Sequence, residues 1–133
     1  MPSVGVFAAM FDQHNRILLV KIKYGSRNWT LPGGHLEANE SPINGVKREV
    51  LEETGYNVDV SHLISTYSAP IKDDLVLLFR ATIIGQENWN TNDEIEEIGF
   101  FPREQLPFQL HAWNRKRIED AFQNLKSNLC IFE

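Results

Sequence analysis

A chain of 133 residues with 42% hydrophobic content can bury one core but is short for two ordinary domains, so a single domain over residues 1–133 is expected. A net charge of −5 argues against general nucleic-acid coating, which calls for a basic surface, yet leaves room for a small anionic ligand met by a few local cations. No apolar run approaches the roughly 20 residues of a membrane span, the start lacks the basic flank of a secretory signal, and the lone Cys130 excludes an internal disulfide; the expectation is a cytoplasmic chain with no membrane contact and no structural zinc.

In chain order, Val4 to Phe11 and Ile17 to Ile22 are rich in β-branched and apolar residues and flank a polar stretch, which predicts a β-hairpin. Trp29-Thr30-Leu31 predicts a short strand stopped by the turn signal Pro32-Gly33-Gly34. A helix is predicted over 41–54: Ser41 can cap free N–H groups, Pro42 fits the first helical position, and Gly55 ends it. Ile43, Val46 and Val50 fall on one face of that helix, which should pack on the body. Val58 to Tyr67 reads as extended, and the near-continuous apolar run Leu75 to Ile84 reads as a buried central strand. Ile95 to Phe101 predicts another strand, and Leu110, Trp113, Ala121, Phe122 and Leu125 mark a C-terminal amphipathic helix. The order of strands, helix, strands, helix predicts an α/β fold with helices packed on a mixed sheet.

The first helix also carries Glu49, Glu52 and Glu53 at i, i+3 and i+4, so three like charges share a face. Their mutual repulsion is relieved by a cation among them, and hard carboxylate oxygens suit Mg²⁺, with Mn²⁺ as a substitute. The acids border the apolar stripe instead of lying opposite it, which suggests a cleft between the helix and the preceding glycine loop. Arg48 sits beside them and can pair with Glu52 or orient a neighbouring acid. Composition alone leaves an ordinary charged helix surface equally open.

The run Gly34 to Tyr56, GHLEANESPINGVKREVLEETGY, resembles the Nudix box. Gly34, Glu40, Arg48, Glu49, Glu52, Glu53 and Gly55 all stand at its fixed positions, with Val50 at the internal apolar place. Tyr56, where the family more often has an aliphatic residue, is a mild departure that touches only local packing. Trp29 to Gly33 and the segment Glu94 to Phe101 are similar to flanking parts of the family. The resemblance implies the Nudix α/β/α sandwich with a mixed β-sheet and a Mg²⁺-dependent pyrophosphohydrolase acting on a nucleotide-like substrate. It implies that Glu49, Glu52, Glu53 and the carbonyl of Gly33 bind metal, that Glu40 and Arg48 support them, and that water attacks phosphorus. For the proton acceptor it offers Glu49 first and Glu94 as an alternative or extra ligand.

Lys23, Arg27 and His35, close to the glycine pair, are the candidate substrate-binding residues; Tyr24, Trp29, Tyr67, Trp89, Phe108 and Trp113 are aromatics without an assigned role. Nucleoside triphosphates or related diphosphate derivatives are the expected substrates. ADP-ribose is the enzymatic alternative, with Pro70 one position short of the place where the family's proline accompanies that specificity. An alternative of another class is a silent domain that senses a nucleotide or binds a protein. The resemblance also allows a homodimer.

Overall fold

The computed structural model describes residues 2–133. In chain order its regular elements are β1 (Ser3–Ala9), β2 (Ile17–Ile22), β3 (Trp29–Thr30), β4 (Gly33–His35), α1 (Pro42–Thr54), β5 (Tyr56–Ala69), β6 (Asp74–Gln86), β7 (Ile95–Phe101), α2 (Ala112–Phe122) and β8 (Asn128–Ile131). Five strands form one sheet in the order β4-β1-β6-β5-β8, and three form a second in the order β3-β2-β7. The larger sheet is mixed: β1 runs parallel to β6 and antiparallel to β4, while β5 runs antiparallel to β6 and parallel to β8.

The unbroken apolar runs have a simple cause, since both faces of these strands are covered. Successive strand residues point to opposite faces. Val6, Ala8 and Met10 therefore join Val46 and Val50 of α1 in one core, while Phe7, Ala9 and Phe11 join Ile118 and Ala121 of α2 in the other. In β6, Phe79 and Ala81 face the α1 side and Val76 and Leu78 the α2 side. Burying each such aliphatic side chain contributes about 1.5–3 kcal/mol. Beneath α2, the Tyr67 hydroxyl donates to Asp120 at 2.7 Å, and Lys116 pairs with the same carboxylate at 2.8 Å. That arrangement satisfies the acid, which is 1% exposed.

Several local expectations are corrected. The predicted hairpin does not form a ladder: β1 and β2 enter different sheets, linked near the turn by the bridge Phe11–Ile17 and by the Leu18 N–H to the Met10 carbonyl at 2.9 Å. Both edges of β1 are already taken by β4 and β6, so β2 finds no free edge there and pairs with β3 and β7 instead. Pro32-Gly33-Gly34 is a change of sheet, not a turn: β3 pairs with β2, and after Pro32 the chain resumes as β4 along β1. Ile43 is 45% exposed, and the inward face of α1 is instead Gly45, Val46, Val50, Glu53 and Thr54. Leu110 and Leu125 lie just outside α2, although both pack on the core it covers. Among the described residues no helix is long and apolar enough to cross a membrane.

Candidate active site

Helix α1 is framed by local chemistry. The Ser41 hydroxyl accepts the Asn44 N–H at 3.1 Å, Pro42 opens the first turn, and Gly55 closes the helix at φ 77°, its N–H donating to the Leu51 carbonyl at 2.9 Å. With Val46 and Val50 seated inward, the helical repeat turns Glu49 and Glu53 toward the glycine strand and Glu52 outward, its side chain 57% exposed. The three acids therefore do not act as one cluster. Glu49 and Glu53 line a cleft, and Glu94, from the loop before β7, faces them from another part of the chain.

Glu53 is 8% exposed and accepts the Gly33 N–H at 3.1 Å. Burial pushes its carboxyl up to about 8; the Gly33 hydrogen bond opposes this, and the charges of Glu49 and Glu94 reinforce it. Burial also raises the Glu49 carboxyl, against the pull of Arg48, whose Nη1 donates to it at 2.9 Å. Gly34 is needed beside it: a Cβ there would lie 2.7 Å from the Glu49 carboxylate carbon. At Gly33 a Cβ would meet the Val6 carbonyl oxygen at 2.2 Å, so the strand lies too close to β1 for any side chain.

Arg48 ties this end together. Its guanidinium grips Glu40 with two bonds, at 2.7 and 3.0 Å, reaches Glu52 at 3.4 Å, and donates to the His35 carbonyl at 3.3 Å. The pairing holds the Glu40 carboxyl down to about 2. Glu40 also accepts the Glu37 N–H at 3.1 Å, so the loop after β4 is fastened to the helix through one ion pair.

The cleft has a volume of about 580 Å³. Glu49, Glu53 and Glu94 lie close enough to act on one another's charge, with Arg48 beside Glu49, while Asn28, Thr30, His111 and Asn114 bring other polar groups to the walls along with Phe7 and Ile22. Small-molecule sites commonly have this size and mixed lining, about 300–1,000 Å³. Tyr24 also borders it; burial, then Glu94, Glu53 and Glu49, raise its phenol.

Of the residues singled out from the sequence, Gly33, His35, Arg48, Glu49, Glu53 and Glu94 line this cleft. Glu40 lies behind Arg48, and Glu52 reaches it from the outer side. Lys23 and Arg27 do not line it: the Lys23 ammonium donates to the Asn92 carbonyl at 3.1 Å and Arg27 pairs with Glu96. Their neighbours Tyr24 and Ser26 do. Sequence reasoning passed over Asn114, whose signal was a polar residue one helical turn before Ile118 on the buried stripe of α2. Thr30 and His111 gave no comparable signal.

Whether these residues suit a metal ion turns on their chemistry and charge. The half-buried Glu49 and the buried Glu53, both with raised affinity for protons, share the cleft with the exposed Glu94, and of these three carboxylates Arg48 contacts Glu49 alone. Among the described residues no group of three His, Cys, Asp or Glu side chains forms a ready-made cage. The fit is therefore to a hard ion that takes few carboxylates and completes its shell with water and substrate phosphate, as Mg²⁺ does.

The family model described as "NUDIX domain" matches residues 1–121. The chain is 35% identical over 124 residues to a Bacillus subtilis protein named "Putative 8-oxo-dGTP diphosphatase", covering 93% of this chain and 82% of the relative. It is 34% identical to an ADP-ribose pyrophosphatase of Methanocaldococcus jannaschii, covering 80% of this chain and 65% of that one. The crystal structure of a NUDIX hydrolase from Nitrosomonas europaea superposes with a TM-score of 0.86 at 26% identity, covering 98% of this chain and 78% of the other.

Proposed function

This chain belongs to the NUDIX family and is a hydrolase, and we propose that its residues 1–133 form one Mg²⁺-dependent domain that cleaves a diphosphate linkage in a nucleoside triphosphate or another nucleoside diphosphate derivative. The observation that carries this reading is the meeting of Glu49, Glu53 and Glu94 in one cleft whose walls also present the amides of Asn28 and Asn114 and the hydroxyl of Thr30. A diphosphate with its counter-ion suits the acids, and the organic moieties it joins suit the uncharged polar walls.

Glu49, Glu53 and the Gly33 carbonyl would hold the ion, with Glu52 joining from the outer side of the helix. When bound, such an ion offsets the acids and draws charge from the phosphate oxygens. The residues of the chain then perform the remaining tasks. Glu49 accepts a proton from the attacking water, with Glu94 as the second candidate across the cleft. The water oxygen bonds to phosphorus as the anhydride P–O bond breaks, giving a nucleoside monophosphate and either pyrophosphate or the phosphorylated second moiety. Arg48 positions Glu49 and anchors Glu40, and Gly33 and Gly34 let backbone approach the phosphates without side-chain obstruction. His35 contacts substrate from the cleft wall. Lys23 and Arg27 serve as rim cations that reach phosphate only by releasing Asn92 and Glu96. Every residue in this scheme comes from one chain, whether or not a homodimer forms, and the cytoplasm is the proposed compartment.

ADP-ribose is the second reading, supported by the relative of that name. Product-resolved hydrolysis of 8-oxo-dGTP, dGTP and ADP-ribose, with Mg²⁺ or with chelator, tests both against Glu53→Gln. Metal-dependent turnover lost in the folded variant supports the mechanism, and the products identify the substrate branch. Tight nucleotide binding with no turnover of any substrate would replace it with a sensor or protein-binding role.

A further inference from the structure

A second cavity of about 200 Å³ opens beside the main cleft, sharing Phe7, His35, His111 and Asn114 with it. Its other walls bring together Lys72, from the turn Pro70–Lys72, Arg117 and Trp113 of α2, and Asp74 at the start of β6. The cations are held on a stack of rings. Lys72 lies 4.8 Å above Trp113, which stacks on Phe132 at 4.5 Å, and Phe132 stacks in turn on Tyr67 at 5.7 Å. Arg117 covers Tyr67 at 5.2 Å.

Cation–π contact is a sufficient structural reason for a cation on such a platform. It does not explain the missing counter-charge. Lys72 and Arg117 have no carboxylate within ion-pair distance among the described residues, and of the Lys and Arg residues without one they alone line either cavity. Arg117 donates through Nη1 to Asn114 at 3.0 Å, while its buried Nε has no acceptor at all. A half-buried guanidinium left in this state is costly unless something completes it. The single acid, Asp74, accepts a hydrogen bond from Ser3 at 3.0 Å and leaves the wall with one net positive charge. His111 adds a further donor: its Nδ1 accepts the Trp113 N–H at 3.1 Å, which in the neutral ring leaves the proton on Nε2.

We propose that this side cavity binds an anionic group, a phosphate or carboxylate, at the end of the substrate remote from the scissile diphosphate. The inference rests on the reading of the main cleft as a diphosphate site. A cavity of this size holds one phosphate or one small ring, not a second nucleotide, since about 150 Å³ suffices for a benzene. The substrate class it selects is a nucleoside diphosphate derivative whose second moiety carries its own negative charge. A neutral sugar would leave Lys72 and Arg117 unpaired.

The test uses the full chain and begins with inorganic phosphate, read at the indole N–H signals in NMR. Trp113 lines only the side cavity and Trp29 only the main cleft, so the two report separately. Phosphate should shift Trp113 saturably; Lys72→Met should weaken that binding about fivefold, and Asp74→Asn should tighten it by a similar factor. The second arm compares hydrolysis of ADP-ribose with that of ADP-ribose bearing a phosphate on its terminal ribose. The charged probe should have the lower KM, and Lys72→Met should raise that KM alone while leaving kcat and the neutral probe unchanged. A Trp113 signal indifferent to phosphate, or equally affected in both variants, overturns the anion site. Phosphate binding with no distinction between the probes overturns the substrate assignment. If no nucleotide is turned over while the Trp113 response and its Lys72 dependence persist, the hydrolase reading fails and the anion site stands.

Discussion

Replacing Gly34 by alanine should remove activity without removing the fold. The added Cβ would lie 2.7 Å from both Cδ and Oε2 of Glu49, and 2.8 Å from Oε1. Ordinary contact between such atoms is about 3.5 Å, so the carboxylate must retreat by roughly 1 Å. What yields is the end of a flexible side chain, and Gly34 is not among the glycines with positive φ, so neither backbone strain nor a core clash follows. A misplacement of this size in a reacting group costs about 100-fold in rate. Steady-state kinetics with Mg²⁺ and the best nucleotide substrate should therefore show kcat/KM down about 100-fold, with a melting temperature within about 3 °C of wild type. Gly33→Ala is the contrasting control: its Cβ meets the Val6 carbonyl oxygen at 2.2 Å, so β4 must leave β1 and stability must fall. Wild-type turnover in folded Gly34→Ala would refute the claim that this glycine keeps Glu49 in place.

Three further outcomes follow from the same geometry. The Glu53 carboxyl, raised from 4.5 to about 8, holds its proton more tightly folded than unfolded, so its ionisation destabilises the fold as pH rises from 4.5 toward 8. Glu53→Gln should then be the more stable protein at pH 8 in chelator, by about 4 kcal/mol, with the advantage shrinking as pH falls from 8 and gone near pH 4.5; urea titrations across that range check it. Arg48→Met should destabilise the chain at neutral pH and slow turnover, and because Glu40 is held down to about 2, that stability difference should shrink as pH falls from 4.5 toward 2. Tyr67→Phe leaves Asp120 with Lys116 alone and should cost about 1–3 kcal/mol in denaturant unfolding, with kcat unchanged.

Helix α1 was legible because its signals are local: Ser41-Pro42 at one end, Gly55 at the other, and apolar residues at helical spacing between. The central position of β6 was legible for a related reason, since burial on both faces writes itself as a continuous apolar run. Strand partners were not. Whether β1 pairs with β2 depends on β6, a strand far along the chain, occupying an edge that a hairpin would need. The short strands β4 and β8 carry little pattern of their own and are defined by the edges they join. At the site, the sequence placed Glu49, Glu52 and Glu53 on a common face, but the angle at which α1 docks separates Glu52 from the other two. Asn114, Thr30 and His111 come from segments that only the tertiary fold brings beside the acids.

The docking of α1 also explains why a helix tolerates two buried acids. Val46 and Val50 are one turn apart, and so are Glu49 and Glu53; each acid follows a valine by three residues, which sets the two stripes only about 60° apart on the helix. Rotating the helix to bring Glu53 into water would carry Val46 and Val50 out of the core. Exposing those two side chains costs about 3–6 kcal/mol, comparable to or larger than the roughly 3 kcal/mol that the buried carboxyl costs at neutral pH. The apolar stripe thus holds the acids in an environment they would otherwise leave. The cation proposed for the cleft would find them already in place, and its charge would offset the repulsion between them.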